Sequence, residues 1–330
     1  MPSRCGGSPK ISSCCTTPDP GTLPGPQRQE NRLDIKNLSG IVTATPTPVR
    51  DGVIDTASAQ ELARYLVAQG SGGLAPVGGT GEYISLTERQ KIDMVRATVE
   101  AADGAVPTIA GLIAPGLGEA LESGRNMIDA GADGLLVTTP FYVRPTQDGI
   151  ADYFKALSDS LDIDLVLYEF PYRTGVSLTA ETVVNLAEST RIVAMKAVNP
   201  DTGLLMRVIE GAGDRISILS GDEDAYPLHI AAGVRGGLIA SSCIVPKVWN
   251  RITALAQGGQ LAEALTLHAQ IRPFIKLLFS EHNPVPLKAA LRLLGRPGGD
   301  PITPLLSARA ETVAQLEAML PEVLKLEAAA

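Results

Sequence analysis

From Leu38 onward the chain repeats one unit: a short apolar run rich in β-branched residues, then a longer stretch with apolar residues three and four apart. Eight such runs are legible, at residues 39–44, 73–77, 106–110, 134–138, 164–168, 192–196, 216–220 and 237–240. The stretches between them, such as 57–69 and 87–102, read as helices. The second opens on Thr87-Glu88-Arg89-Gln90, a capping-box pattern. Strands that alternate with helices pair in parallel through right-handed crossovers, and eight such units close into a (β/α)8 TIM barrel. A doubly wound sheet has fewer units, and no G-x-G-x-x-G follows the first run.

The ends of the chain depart from that rhythm. Residues 1–32 are dominated by Pro, Gly, Ser and Thr and lack hydrophobic periodicity, so they are expected to form a disordered N-terminal tail. Residues 246–330 carry only helical spacing, as in Leu261–Leu278 and 307–326. The expected division is a tail at 1–32, a barrel at 33–258 and a C-terminal helical region at 259–330, the last serving packing or subunit contacts.

Composition narrows the function classes. A net charge of −8 argues against a phosphate-backbone partner, so no nucleic acid is expected. No apolar run approaches the ~18 residues of a membrane helix, so no membrane partner is expected. Three of the four cysteines lie in the first fifteen residues, and disulfides do not explain the fold; a reducing cytoplasm is the expected location. Three histidines and no H-E-x-x-H argue against a protein-held transition metal.

A barrel carries its active site at the C-terminal ends of its strands, so the residues delivered there are the candidates. The sixth run, Arg191-Ile192-Val193-Ala194-Met195-Lys196, is apolar until it ends in an ammonium. Burial lowers a lysine pKa, and an amine neutral near pH 7 can attack a ketone to form a Schiff base. A lone strand-terminal lysine could equally reach solvent. The second run ends in Gly78-Gly79-Thr80-Gly81-Glu82, whose backbone could approach a carboxylate or simply form a tight turn. The fourth delivers Tyr142, a candidate acid–base group or an interface aromatic. The fifth delivers Tyr168 and Arg173, the latter able to clamp a carboxylate in bidentate fashion. The seventh delivers Ser220-Gly221-Asp222-Glu223-Asp224, whose carboxylates read first as helix caps.

Together G-x-T-G-E, T-P-x-Y, Y-x-x-P-x-R-T-G, an apolar strand ending in Lys, and S-G-D-x-D resemble the dihydrodipicolinate synthase / N-acetylneuraminate lyase family, from about Leu38 to the C-terminus. The resemblance implies a class I aldolase. Lys196 would form the imine with pyruvate or another 2-oxo acid, and Tyr168 would move protons. Thr80 with Gly79 would hold the pyruvate carboxylate, and Arg173 would grip a carboxylate on the second substrate. Tyr142 would be lent across a dimer interface, and Ile239 would turn its carbonyl to the site. No separate cofactor is implied beyond the covalent imine. The implied partners are a 2-oxo acid, an aldehyde or sugar acid, and further copies of the chain in a homodimer or homotetramer.

Two positions depart from the family's synthases. Gly79 stands where a second hydroxyl residue is usual, as in 5-dehydro-4-deoxyglucarate dehydratases, and Glu169 stands where Asn is common. The best single reading is a 4-hydroxy-tetrahydrodipicolinate synthase-like enzyme. The alternatives are a 2-oxo-3-deoxy sugar acid aldolase or dehydratase and a non-catalytic barrel paralogue. A phosphate-binding isomerase lacks the Gly-rich phosphate loops it would need. At the positions where lysine-inhibited synthases bind their effector, the resemblance places Glu88, Lys91, Pro115 and Phe141, with Glu119 as a remaining carboxylate.

Overall fold

The apolar runs are the strands of one barrel. In a computed structural model, which describes residues 32–330, the chain forms strands β1 (Gly40–Ala44), β4 (Gly73–Ala75), β5 (Ile109–Leu112), β6 (Gly134–Thr138), β7 (Asp164–Glu169), β8 (Ile192–Ala197), β9 (Ser217–Ser220) and β10 (Gly236–Ile239). The sheet order is β4-β1-β10-β9-β8-β7-β6-β5, and every pairing in it is parallel. The two ends of that order meet through a parallel bridge between Leu74 and Thr108 and through Leu74 N–H donating to the Pro107 carbonyl at 2.9 Å. The barrel expected from the sequence is therefore present. The N-terminal tail expected at 1–32 lies, but for Arg32, outside the described residues.

One strand begins later than its composition suggests. The run at 106–110 includes Pro107, which has no N–H to donate to a ladder, and β5 starts at Ile109. A short hairpin the sequence reading did not anticipate pairs β2 (Val49–Arg50) with β3 (Val53–Ile54). Its turn is Asp51-Gly52, both with positive φ, the conformation that a two-residue primed turn demands.

The helices cover the outside: α1 (Thr56–Ala68), α2 (Glu88–Ala102), α3 (Leu117–Asp129), α4 (Gln147–Ser160), the single turn α5 (Pro171–Thr174), α6 (Ala180–Ser189), α7 (Thr202–Ala212) and α8 (Tyr226–Ala231). Thr87 caps α2 with both halves of the capping box formed, as its spacing predicts. Four more helices follow: α9 (Pro246–Gln257), α10 (Leu261–Leu278), α11 (Val285–Leu293) and α12 (Ala310–Ala329). They belong to the same compact unit as the barrel, Arg32–Ala330. Trp249 on α9 is fully buried, its ring edge-on to Tyr226 at 5.1 Å. Glu327 of α12 accepts from the Lys247 and Val248 amides, each at 3.0 Å, placing a carboxylate on the positive end of α9. No described helix is long and apolar enough to cross a membrane.

Candidate active site

Lys196 is the penultimate residue of β8 and stands in register with Tyr168 on β7. The flanking strand residues Ala194, Met195 and Ala197 are buried, so the lysine stem is enclosed and the residue as a whole is 8% exposed. Its Nζ lies 4.5 Å from the centre of the Tyr168 ring. Burial lowers the Lys196 pKa to about 8; the nearby Glu223 carboxylate opposes that shift and the Arg173 guanidinium adds to it. Burial in the same place raises the Tyr168 hydroxyl to about 12, partly offset by Arg173.

The side chain of Lys196 runs past the turn after β9. A Cβ on Gly221 would sit 2.6 Å from Lys196 Cε and 2.4 Å from Val198 Cγ2, so this position must be glycine for the lysine to lie as it does. The carboxylates of that turn divide their work. Asp222 Oδ1 accepts from the Asp224 and Ala225 amides at 2.9 and 3.1 Å, which tightens the turn; the N-cap of α8 is Ala225, with no side-chain cap, contrary to the capping role expected of the cluster. Glu223 turns inward and is buried, accepting from the Ala240 amide at 2.7 Å, the Ser241 amide at 3.2 Å and the Ser241 hydroxyl. Trp249 Nε1 donates to that hydroxyl at 2.8 Å, and His268 Nε2 of α10 lies 2.8 Å from the Glu223 carbonyl. Sequence reasoning classed Glu223 with the caps; its place beside Lys196 depends on contacts from α9 and α10.

The loop after β4 forms the opposite wall. Gly81 has no room for a side chain, since a Cβ would lie 2.6 Å from the Val77 backbone. Val77 and Glu82 adopt positive φ, which curls the loop so that Gly79 and Thr80 line the cleft. A Cβ on Gly79 would fall 3.5 Å from Arg173 Nη1 and 3.9 Å from the Tyr168 hydroxyl, which puts all three at one point. Arg173 is held by α5, with its guanidinium carbon 5.4 Å from the Phe170 ring centre. Phe170 in turn stacks on Tyr168 at 5.7 Å.

These residues enclose a cleft of about 580 Å³ with Lys196, Tyr168, Thr80, Arg173 and Glu223 among its walls. A second cavity of about 420 Å³, lined mainly by apolar side chains including Phe141, Ile84 and Leu305, shares Gly79, Tyr168 and Arg173 with it. The C-terminal region contributes as well: Lys276, His282 and Asn283 line the first cleft. Asn283 Nδ2 donates to Thr80 Oγ1 at 3.0 Å. The helical spacing of this region predicts packing or subunit contacts ahead of a part in the site. The connector between α10 and α11 is also a wall of the site, which no local motif announces.

Two expected residues do not line the cleft of the single chain. Ile239 has its carbonyl engaged by Ser242 Oγ at 2.8 Å, and it is Leu238 and Ala240, its neighbours on either side, that line the cleft. Tyr142 is 97% exposed, with φ +73, and is not among the residues lining either cavity of this chain. Glu169 is buried and accepts from Asn199 Nδ2 at 3.0 Å, the Leu178 amide at 3.2 Å and Ser177 Oγ at 3.3 Å, anchoring the segment after α5. Among the described residues no three His, Cys, Asp or Glu side chains are grouped to hold a metal ion.

A barrel with a buried, strand-borne lysine at the C-terminal mouth defines the class: a lyase of the class I aldolase type. The family model for the dihydrodipicolinate synthetase family matches residues 37–323, and the chain belongs to that family. A 4-hydroxy-tetrahydrodipicolinate synthase from Parasynechococcus marenigrum is 38% identical over 286 residues, covering 85% of this chain and 94% of the relative. The same-named protein of an Anaeromyxobacter species, strain K, is 34% identical over 294 residues, covering 88% of this chain and all of the relative. The crystal structure of dihydrodipicolinate synthase from Thermotoga maritima superposes with a TM-score of 0.83 at 32% identity, covering 88% of this chain and 99% of that one.

Proposed function

We propose that the protein is a 4-hydroxy-tetrahydrodipicolinate synthase in which Lys196 forms a Schiff base with pyruvate. The observation that carries this reading is the Lys196 amine, enclosed at the floor of the cleft and brought by burial to a pKa of about 8 beside the Tyr168 ring. At pH 7 about a tenth of such an amine is neutral, against roughly one in three thousand at the ordinary value of 10.5.

The neutral amine attacks C2 of pyruvate, and loss of one water leaves a protonated imine. The imine withdraws electrons from C3, which gives up a proton and becomes an enamine. Tyr168 moves protons at the imine nitrogen and at the departing oxygen. The enamine carbon attacks an aldehyde, forming the C–C bond. The amino group of that second substrate then adds to C2 of the resulting imine, closing the ring C–N bond as the C2–N bond to Lys196 breaks and the lysine amine is regenerated. Lys196 itself supplies the electron sink, so the reading assigns no cofactor. Dipicolinate is a seven-carbon ring dicarboxylate, and pyruvate supplies three of its carbons and one carboxylate. The second substrate is therefore a four-carbon amino-aldehyde that carries the other carboxylate.

Two anion sites fit those demands. Thr80 with the backbone around Gly79 holds the pyruvate carboxylate, and Arg173, at the point where Gly79 and Tyr168 meet, takes the carboxylate of the amino-aldehyde. Tyr142 joins the site of a neighbouring subunit in a homodimer or dimer of dimers, which accounts for an aromatic 97% exposed on the single chain. The enzyme works in the cytoplasm.

Mass spectrometry of the product formed from pyruvate and the amino-aldehyde tests the assignment. The expected product carries all seven carbons. Dehydration of a 2-oxo-3-deoxy sugar acid, with no condensation of pyruvate and the amino-aldehyde, would contradict it.

A further inference from the structure

The C-terminal region grips the loop after β4 at two points. Lys288 of α11 forms a fully buried ion pair with Glu82, donates to the Asp300 carbonyl at 2.8 Å, and so fixes the end of the loop. Glu82 Oε1 also accepts the Ile302 amide at 2.7 Å. Two residues earlier in the loop, Thr80 Oγ1 receives the side-chain amide of Asn283 at 3.0 Å. Asn283 directly precedes Pro284, the residue before α11, so the helix that carries Lys288 also carries the segment that holds Thr80.

The polarity of the Asn283–Thr80 bond has a chemical consequence. A threonine hydroxyl has one proton to donate and two lone pairs to accept with. A side-chain NH2 group can only donate, so Thr80 Oγ1 spends a lone pair on Asn283, and its own proton points away from that partner. Thr80 is 5% exposed, and it meets the cleft that also holds Lys196. A carboxylate entering there needs donors, and a threonine presenting its lone pairs would repel it.

We infer that Asn283 is a positioning residue for the 2-oxo acid: it occupies an acceptor lone pair of Thr80 and leaves the Thr80 hydroxyl proton for the substrate carboxylate. The inference rests on the proposed role of Thr80 as the carboxylate site. It gives the C-terminal region a part in substrate affinity that its separation from Thr80 along the sequence would not suggest.

The test is a double-mutant cycle on the full-length enzyme: N283A and N283D, each with Thr80 and in a T80V background. Pyruvate half-saturation is read from initial rates and from borohydride trapping. With Thr80 present, N283D draws the hydroxyl proton to itself and raises the pyruvate half-saturation about tenfold or more, and N283A raises it by a smaller factor. Turnover at saturating pyruvate and half-saturation for the amino-aldehyde change less than about threefold, a split that general loosening of the fold does not produce. In the T80V background N283A loses most of its effect, and N283D keeps only the part that its added charge exerts directly on the entering carboxylate. Should N283D melt far below the parent enzyme, the N283A arm decides by the same coupling. Wild-type affinity for pyruvate in N283D, or equal effects with and without Thr80, would overturn the inference. Failure of the parent enzyme to be trapped by borohydride at all would instead remove the proposed function.

Discussion

Lys196 and Tyr168 are paired across two adjacent parallel strands, and the lysine Nζ sits 4.5 Å from the centre of the tyrosine ring. Neither residue reaches this position by way of a flexible loop. Strand register fixes both Cα atoms, and the Phe170 ring stacked at 5.7 Å restrains the tyrosine further. In the proposed mechanism this places a nucleophile and a proton carrier on neighbouring strands, an arrangement that needs little reorganisation when substrate arrives.

Tyr168→Phe keeps the ring that faces the lysine and removes only the hydroxyl. Pyruvate is expected to bind as before while turnover falls by roughly 10²–10⁴. Steady-state kinetics with trapping at saturating pyruvate separates the two. Unchanged turnover would reduce Tyr168 to a packing role.

Imine formation requires the neutral form of Lys196, so the rate of pyruvate trapping rises with pH and levels off above about 8. The Glu223 carboxylate favours the charged amine and raises that pKa, while Arg173 lowers it. Glu223→Gln removes the anion, so the acid limb of the profile moves to lower pH. The amide still accepts from the Ala240 and Ser241 backbone through its oxygen, which limits collateral damage to the turn. A limb that stays in place, or moves to higher pH, would show that Glu223 does not act on Lys196 electrostatically.

The Glu82–Lys288 pair is buried on both sides, so removing one partner strands a charge. Lys288→Met is expected to cost about 3–5 kcal/mol of stability, because the carboxylate loses its counter-ion without regaining water. Thermal unfolding checks this. A melting temperature within a degree of wild type would mean that the loop relaxes and rehydrates Glu82.

L-lysine at millimolar concentration is expected to leave activity and melting temperature unchanged. Lys91 is buried with its Nζ 3.7 Å over the Tyr83 ring, 3.4 Å from Glu88 and 4.0 Å from Glu119. An internal ammonium thus already uses the aromatic face and both carboxylates that an amino-acid effector would need. Glu88 also accepts from Ser123 Oγ at 2.8 Å and Asn126 Nδ2 at 2.9 Å. Pro115 and Phe141 offer no side-chain hydrogen bond in place of these. Saturable inhibition would contradict this account of the pocket.

The barrel was legible because its strands are mostly apolar and buried on both faces, and many boundaries carry Gly, Pro or a cap such as Thr87. Lys196 was legible for the same reason, as a charge at the end of an apolar strand. Less visible was anything set by register or by distant contact. Pro107 delays β5 by its missing donor, and a shift of one residue along β10 separates Leu238, which lines the cleft, from Ile239, which does not. Asn283 meets Thr80 across 203 positions of sequence, and Glu223 becomes a buried group beside Lys196 through Ser241 and the helices packed behind it. Side chains of this kind have ordinary local context, and only the closed barrel brings them together.

Borohydride reduction in the presence of pyruvate, followed by peptide mapping, tests the central claim most directly. The predicted result is one reduced pyruvate adduct per chain, on Lys196, and none in Lys196→Ala. A label on Lys276 or Lys288 in its place, or no pyruvate-dependent adduct at all, would contradict the assignment of Lys196 as the Schiff-base residue.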